Sequence, residues 1–284
     1  MRRVDEIRAR AKRYQERAET MRGEHGSVDT IFVIADRDVE LGGGLLAGAL
    51  AYRIFIWLLP FALVVVGGIG VAADVASDSP ATAVHSLGLT GIVANSVAHA
   101  TNGTARWYAL LIGIPILLWA SRSLLKALIV VHRLVWGDLR RSVPKPTLVS
   151  TLLLLSFLVL YFVIRELARW VGLWTGSVSL RILTGLILVA LWWLVVSVRL
   201  PHRGSRWLDL VPGAVLIAVG FELLSDVGTY FIAPRVESSQ STYGALGIAA
   251  ALLFGLYLVS RLVVASAVVN ATIWERRPDR ERAP

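Results

Sequence analysis

Six times along the chain an apolar run reaches about 18 residues or more, the length a helix needs to cross the hydrocarbon core of a bilayer. That leaves few folds open. In lipid every backbone N–H and C=O must be satisfied within the chain, so such runs become helices packed on one another. They lie at about Gly42 to Ala73, Trp107 to Trp136, "TLVSTLLLLSFLVLYFVI" (147–164), Ser179 to Val198, Leu210 to Ile232 and Gly244 to Ile273. The first two are long for one crossing and contain Pro60 and Pro115, so tilt or a kink is expected in each. The predicted fold is an all-α integral membrane protein with six transmembrane helices.

The residues ahead of the first span have a different character. Residues 1 to about 24 mix both charge signs at helical spacing, with Glu6 four before Arg10, as a solvated helix does. They have no apolar centre and no small-residue cleavage site, so a signal peptide is not expected. "DTIFVIADRDVEL" places Ile31, Ile34, Ala35 and Val39 on one side, with Asp36, Arg37 and Glu40 elsewhere, and reads as an interfacial helix. The expected organisation is 1–41 charged and interfacial helices, 42–273 the membrane domain, and 274–284 a basic tail.

Orientation follows from the arginines. The formal charge is +9, and the basic residues flank apolar spans, which argues for topology signals rather than a nucleic-acid surface. One set of loops carries Arg2 to Arg37, then Arg133, Arg140, Arg141 and Lys145, then Arg199, Arg203 and Arg206, and finally Arg276, Arg277, Arg280 and Arg282. The other set holds only Arg106, Arg165, Arg169 and Arg235. With six spans, this asymmetry puts both termini in the cytoplasm. The longest external loop, 74–104, contains "LTGIVANSVAHA", a short helix candidate. Trp107, Trp136, Trp170, Trp174 and Trp207 fall near span ends, where an interfacial belt is expected.

Charges inside the spans need a reason, because an arginine at a helix centre costs about 2.5–3.5 kcal/mol on insertion scales. Arg53, Arg122, Lys126 and Arg261 lie deep, whereas Arg181 is near a helix end and snorkels. Arg122 and Lys126 are four apart, as are Glu222 and Asp226, so each pair shares a helix face. The simplest reading is structural ion pairs. Four cations against two carboxylates leave an excess that a dry bundle tolerates poorly, which points to a wet or anionic neighbour in an inner-facing cavity. The candidate binding residues are therefore Arg53, Arg122, Lys126 and Arg261, with Glu222, Asp226 and the adjacent Tyr52. Gly44 and Gly48 with Tyr52, and Gly247, Ala251 and Gly255, form stripes read as close helix packing.

Catalytic signatures are sparse. The five histidines, His25, His85, His99, His132 and His202, form neither an HxH nor an HExxH group, there is no GxSxG, and the "GGG" run lacks the lysine of a phosphate-binding loop. The chain contains no cysteine. No enzyme activity, cofactor or metal is expected.

Three stretches, "GGGLLAGALAYRIFIWLLP", "RWLDLVPGAVLIAVGFELLSDVGTYFI" and "STYGALGIAAALLFGLYLVSRLVVASAVVNA", resemble the YihY/BrkB family of bacterial inner-membrane proteins over roughly residues 40 to 272. The resemblance implies a six-helix membrane fold in the bacterial plasma membrane. It also implies transport of a lipid or other amphiphile, as suggested for some members, and not the ribonuclease activity once attached to the family. Where many members read Gly-Ala-Glu-x-Asn, this chain has Ser266, Ala267, Val268, Val269 and Asn270, so no role of that glutamate carries over. The resulting expectation is a carrier of an anionic or amphipathic solute, with membrane lipids, anionic ones among them, as partners and no nucleic acid. A non-transporting scaffold or channel-like subunit is the alternative, and a membrane enzyme using Asp74, His85 or His99 comes third.

Overall fold

The computed structural model describes residues 26–75, 105–138, 163–164, 166–227 and 245–277. An amphipathic helix α1 (Gly26–Glu40) precedes α2 (Gly43–Val75), α3 (Ala105–Val135), α4 (Val178–Arg199), α5 (Val211–Val227) and α6 (Ala245–Glu275). A 3₁₀ turn, Trp207–Leu210, leads into α5. Five described helices, α2 to α6, are long and apolar enough to cross a membrane. The charged stretch 1–24 lies outside the described residues, as do the third predicted span except 163–164 and the 74–104 loop except 74–75, which end α2.

The breaks between helices follow from local chemistry. Gly42, with φ of +62°, takes the left-handed position that ends α1 and lets α2 begin in a new direction. At the head of α4, Gly176 (φ +63°) closes the preceding helical stretch and the Ser177 hydroxyl accepts the N–H of Leu180 at 3.3 Å. The far end stops at Leu200 before Pro201, which disfavours helical backbone in the residue ahead of it. Pro60 and Pro115 both lie inside continuous helices.

Antiparallel pairs build the bundle. Between α2 and α3, the Trp57 indole donates to Ser121 Oγ at 2.7 Å, and Gly113 lies against Val64 and Leu63. Between α5 and α6, Gly213 meets Asn270 and Gly220 meets Leu262. One apolar cluster joins Leu50 and Trp57 of α2, Leu117, Leu124 and Leu128 of α3, Trp193 of α4 and Ile217 of α5. A second, nearer the α6 C-terminus, gathers Ala47, Val135, Trp136, Leu210, Val264, Val268 and Trp274.

Two expectations need correction. Trp136 is not part of a belt: it is 1% exposed and packs edge-on to Trp274 at 5.3 Å, while Trp107, Trp170, Trp174 and Trp207 are exposed. A span-end position alone does not distinguish a tryptophan facing lipid from one under a capping turn. Of the glycine stripes, Gly44 does face the Tyr257 hydroxyl of α6, but Gly48 and Gly255 make no close contact. A Cβ at Gly48 or Gly255 would meet nothing within 4 Å, whereas one at Gly213 would lie 2.6 Å from the Ser266 carbonyl oxygen.

Candidate functional site

Polar groups inside the bundle fall into two sets. The first joins helices by buried hydrogen bonds. Trp193 Nε1 of α4 donates to Ser266 Oγ at 2.9 Å, and one turn further along α6 the Asn270 Oδ1 accepts the Gly213 N–H at 2.7 Å. Gly213 sits in the first turn of α5, where the N–H has no carbonyl behind it in the helix, so Asn270 supplies the missing acceptor. Ser266 and Asn270 are i and i+4 on one face, which lets a single helix hold two others. They belong to the segment in which this chain departs from the Gly-Ala-Glu-x-Asn pattern, and here both work as helix-to-helix joints. His132 is likewise a core residue, its Nδ1 3.0 Å from the Leu128 carbonyl.

The second set is ionic and collects at one end. Arg37 of α1 pairs with Glu275 and donates to the carbonyl oxygen of Val135, at the open end of α3, at 2.9 Å. Asp29 of α1 pairs with Arg276, and Asp38 takes both terminal nitrogens of Arg261. Asp209, 2% exposed, accepts the Arg206 N–H at 2.8 Å and pairs with Arg277 at 2.5 Å. Arg203 reaches the carbonyl of Trp136. The starts of α2 and α5 and the ends of α3, α4 and α6 therefore share one strongly basic end.

The predicted site residues divide. Arg53 Nη1 donates to Ser123 Oγ at 2.8 Å across the α2–α3 seam, and Ser123 stands between Arg122 and Lys126. Arg53, Arg122 and Lys126 are all exposed, as is Tyr52 beside them. At 1.5 Å per residue, Arg53 is about 15 Å from the start of α2, and Lys126 and Arg122 are about 14 and 20 Å from the end of α3. They occupy neighbouring helices at similar depth. Arg261 does not join them: it meets α2 at Gly43, about 15 Å along that helix from Arg53. Its counter-charge is Asp38 of α1, a carboxylate outside the spans that reduces the excess of cations within them. Glu222 is half-buried on α5, and Asp226 lies in that helix's last turn.

The fold is that of an all-helical, multi-pass membrane protein with a basic end and a cationic seam between its first two spans. Residues 39–284 match the family described as virulence factor BrkB, and the chain belongs to that family. It is similar to a UPF0761 membrane protein of Nitrosospira multiformis, 29% identical over 108 residues, covering 37% of this chain and 25% of that one. A UPF0761 membrane protein of Stenotrophomonas maltophilia is 32% identical over 119 residues, 40% of this chain and 27% of its own length. The match thus spans about a quarter of the length of these curated relatives. No solved structure matches the chain.

Proposed function

We propose that the protein is a six-span carrier of an anionic amphiphile in the bacterial plasma membrane, with Arg53, Arg122 and Lys126 receiving the anionic group. The observation that supports it is the seam itself. Three cations from two adjacent helices stand exposed well inside the spans, where exposure to hydrocarbon alone is unfavourable and an anionic or hydrated neighbour relieves the cost. Arg53 donates one N–H to Ser123, which orients the guanidinium and leaves further donors for a phosphate or carboxylate.

In this reading the basic end faces the cytoplasm, in keeping with the positive-inside bias. A crossing at 147–164, the third apolar run of the sequence, would complete the six spans and leave both termini on that side. In a chain without native cysteine, a cysteine replacing Arg140 should react with an impermeant maleimide only after the membrane is opened, and one replacing Asp78 should react in intact cells. Labelling of position 140 from outside would reverse the orientation.

Function is tested in proteoliposomes. Transfer of a fluorescent phosphatidylglycerol analogue between leaflets should fall about tenfold in Arg53→Gln or Arg122→Gln, matching loss of a charge-assisted hydrogen bond of roughly 1.5 kcal/mol or more. Phosphatidylcholine transfer and the yield of folded protein should change little. Equal loss for both lipids, or wild-type protein without transfer, would favour the scaffold reading.

A further inference from the structure

We infer that Arg261 and Tyr257 form a second anion site, which the protein's own α1 closes by seating Asp38 in it. This goes beyond the carrier reading and does not require net transfer of anything.

Asp38 presents two oxygens to the two terminal nitrogens of Arg261, the fork geometry in which a guanidinium also holds a phosphate. Tyr257 lies one turn earlier on the same face of α6, with its hydroxyl beside Gly44. The pocket needs glycine at position 43, since a Cβ there would run into the Asp38 carboxylate and lie 2.9 Å from Arg261 Nη1. The Asp38 side chain is 14% exposed and that of Arg261 36%, so the pair is sheltered but the arginine keeps an open side.

What holds α1 down is exchangeable. It contributes Ile34 to the apolar cluster, yet Ile31 and Val39 point outward, 66% and 78% exposed. Its polar attachments include ion pairs from Asp29, Arg37 and Asp38 and the Arg37 hydrogen bond to the Val135 carbonyl, and Gly42 separates it from α2 with a backbone that allows a change of direction. An interfacial helix lies at the depth of lipid headgroups. An anionic phosphodiester there offers Arg261 the same two oxygens as Asp38, and by taking its place frees α1 from the bundle.

The test uses the full chain with spin labels on cysteines replacing Ile31, on the outer side of α1, and Leu208, on the exposed 3₁₀ turn. In phosphatidylcholine vesicles a single short distance is expected. With phosphatidylglycerol added, a longer-distance population should grow at least about threefold, the scale on which a partly screened ion pair shifts an equilibrium. Inorganic phosphate at matched concentration separates the sources: a response to it as well assigns the site to phosphate in general, and a response to the lipid alone assigns it to a headgroup. Asp38→Asn should show the longer distance in phosphatidylcholine, with Asp38→Glu restoring the short one. Arg261→Gln should release α1 and abolish the lipid response. Identical wild-type distributions in the two lipids, a measurement that needs no charge variant, would overturn the inference, as would a lipid response that survives in Arg261→Gln.

Discussion

Gly213→Ala should cost the bundle about 3 kcal/mol or more, the sum of an overpacked contact and a strained buried hydrogen bond. The added Cβ would lie 2.5 Å from Asn270 Nδ2 and 2.6 Å from the Ser266 carbonyl oxygen. A side-chain end moves aside at small cost, but the carbonyl belongs to the α6 backbone. Moving it would also disturb the Asn270 to Gly213 hydrogen bond and the Trp193 to Ser266 bond one turn away. Thermal unfolding in detergent, followed by fluorescence-detected size exclusion, measures the loss. Gly48→Ala and Gly255→Ala are the controls: neither new Cβ meets anything, and removing a helical glycine should leave stability unchanged or raise it by up to about 1 kcal/mol. Equal melting of all three variants would mean that the α5–α6 contact is looser than its geometry indicates.

Asp209→Ala should rank next, at about 3 kcal/mol. The carboxylate is 2% exposed and has two duties, accepting the Arg206 N–H ahead of α5 and pairing with Arg277 beyond α6. Its removal strands a backbone donor in the turn and separates the two helix ends. Asp209→Asn keeps an acceptor for Arg206, so it should recover part of the loss. Arg277→Ala should also cost stability, because it leaves the 2% exposed Asp209 carboxylate without its counter-charge, whereas Arg277, 43% exposed, is taken up by water when Asp209 is the residue removed. The difference between these single variants and the double variant isolates the pair. A double variant no worse than Asp209→Ala is the expected outcome, and strictly additive losses would assign Asp209 to the turn alone.

The spans were legible because lipid exposes its demands in composition. An apolar run long enough to cross has to be a helix, and α2, α3, α4 and α6 begin and end within a residue or two of the predicted limits. The cations inside them were equally visible, since each interrupts an apolar run. Their partners were not. Asp38 lies 223 residues from Arg261, in a helix assigned to the interface, and no local pattern announces a bond between them. Ser123 is an unremarkable serine until α2 brings Arg53 against it. Ser266, Asn270 and Gly213 form their joint only after the helices have packed, and no local pattern marks any of them as a partner of another.

The ion pairs that fasten α1 also set an order of events in synthesis. Arg261 follows Asp38 by 223 residues, Glu275 follows Arg37 by 238, and Arg276 follows Asp29 by 247. At an elongation rate of about 5–20 residues per second, α1 waits roughly 11–50 s for its partners to leave the ribosome. Through that interval its acidic residues face water and headgroups, and the carbonyl end of α3 is uncovered once α3 has been made. A translation product that stops short of α6 would keep this helix loose indefinitely. The fastening of α1 thus reports that α6 has been made, and a membrane protease that seizes loose helices would tell molecules that include α6 from those that stop short of it by this single element.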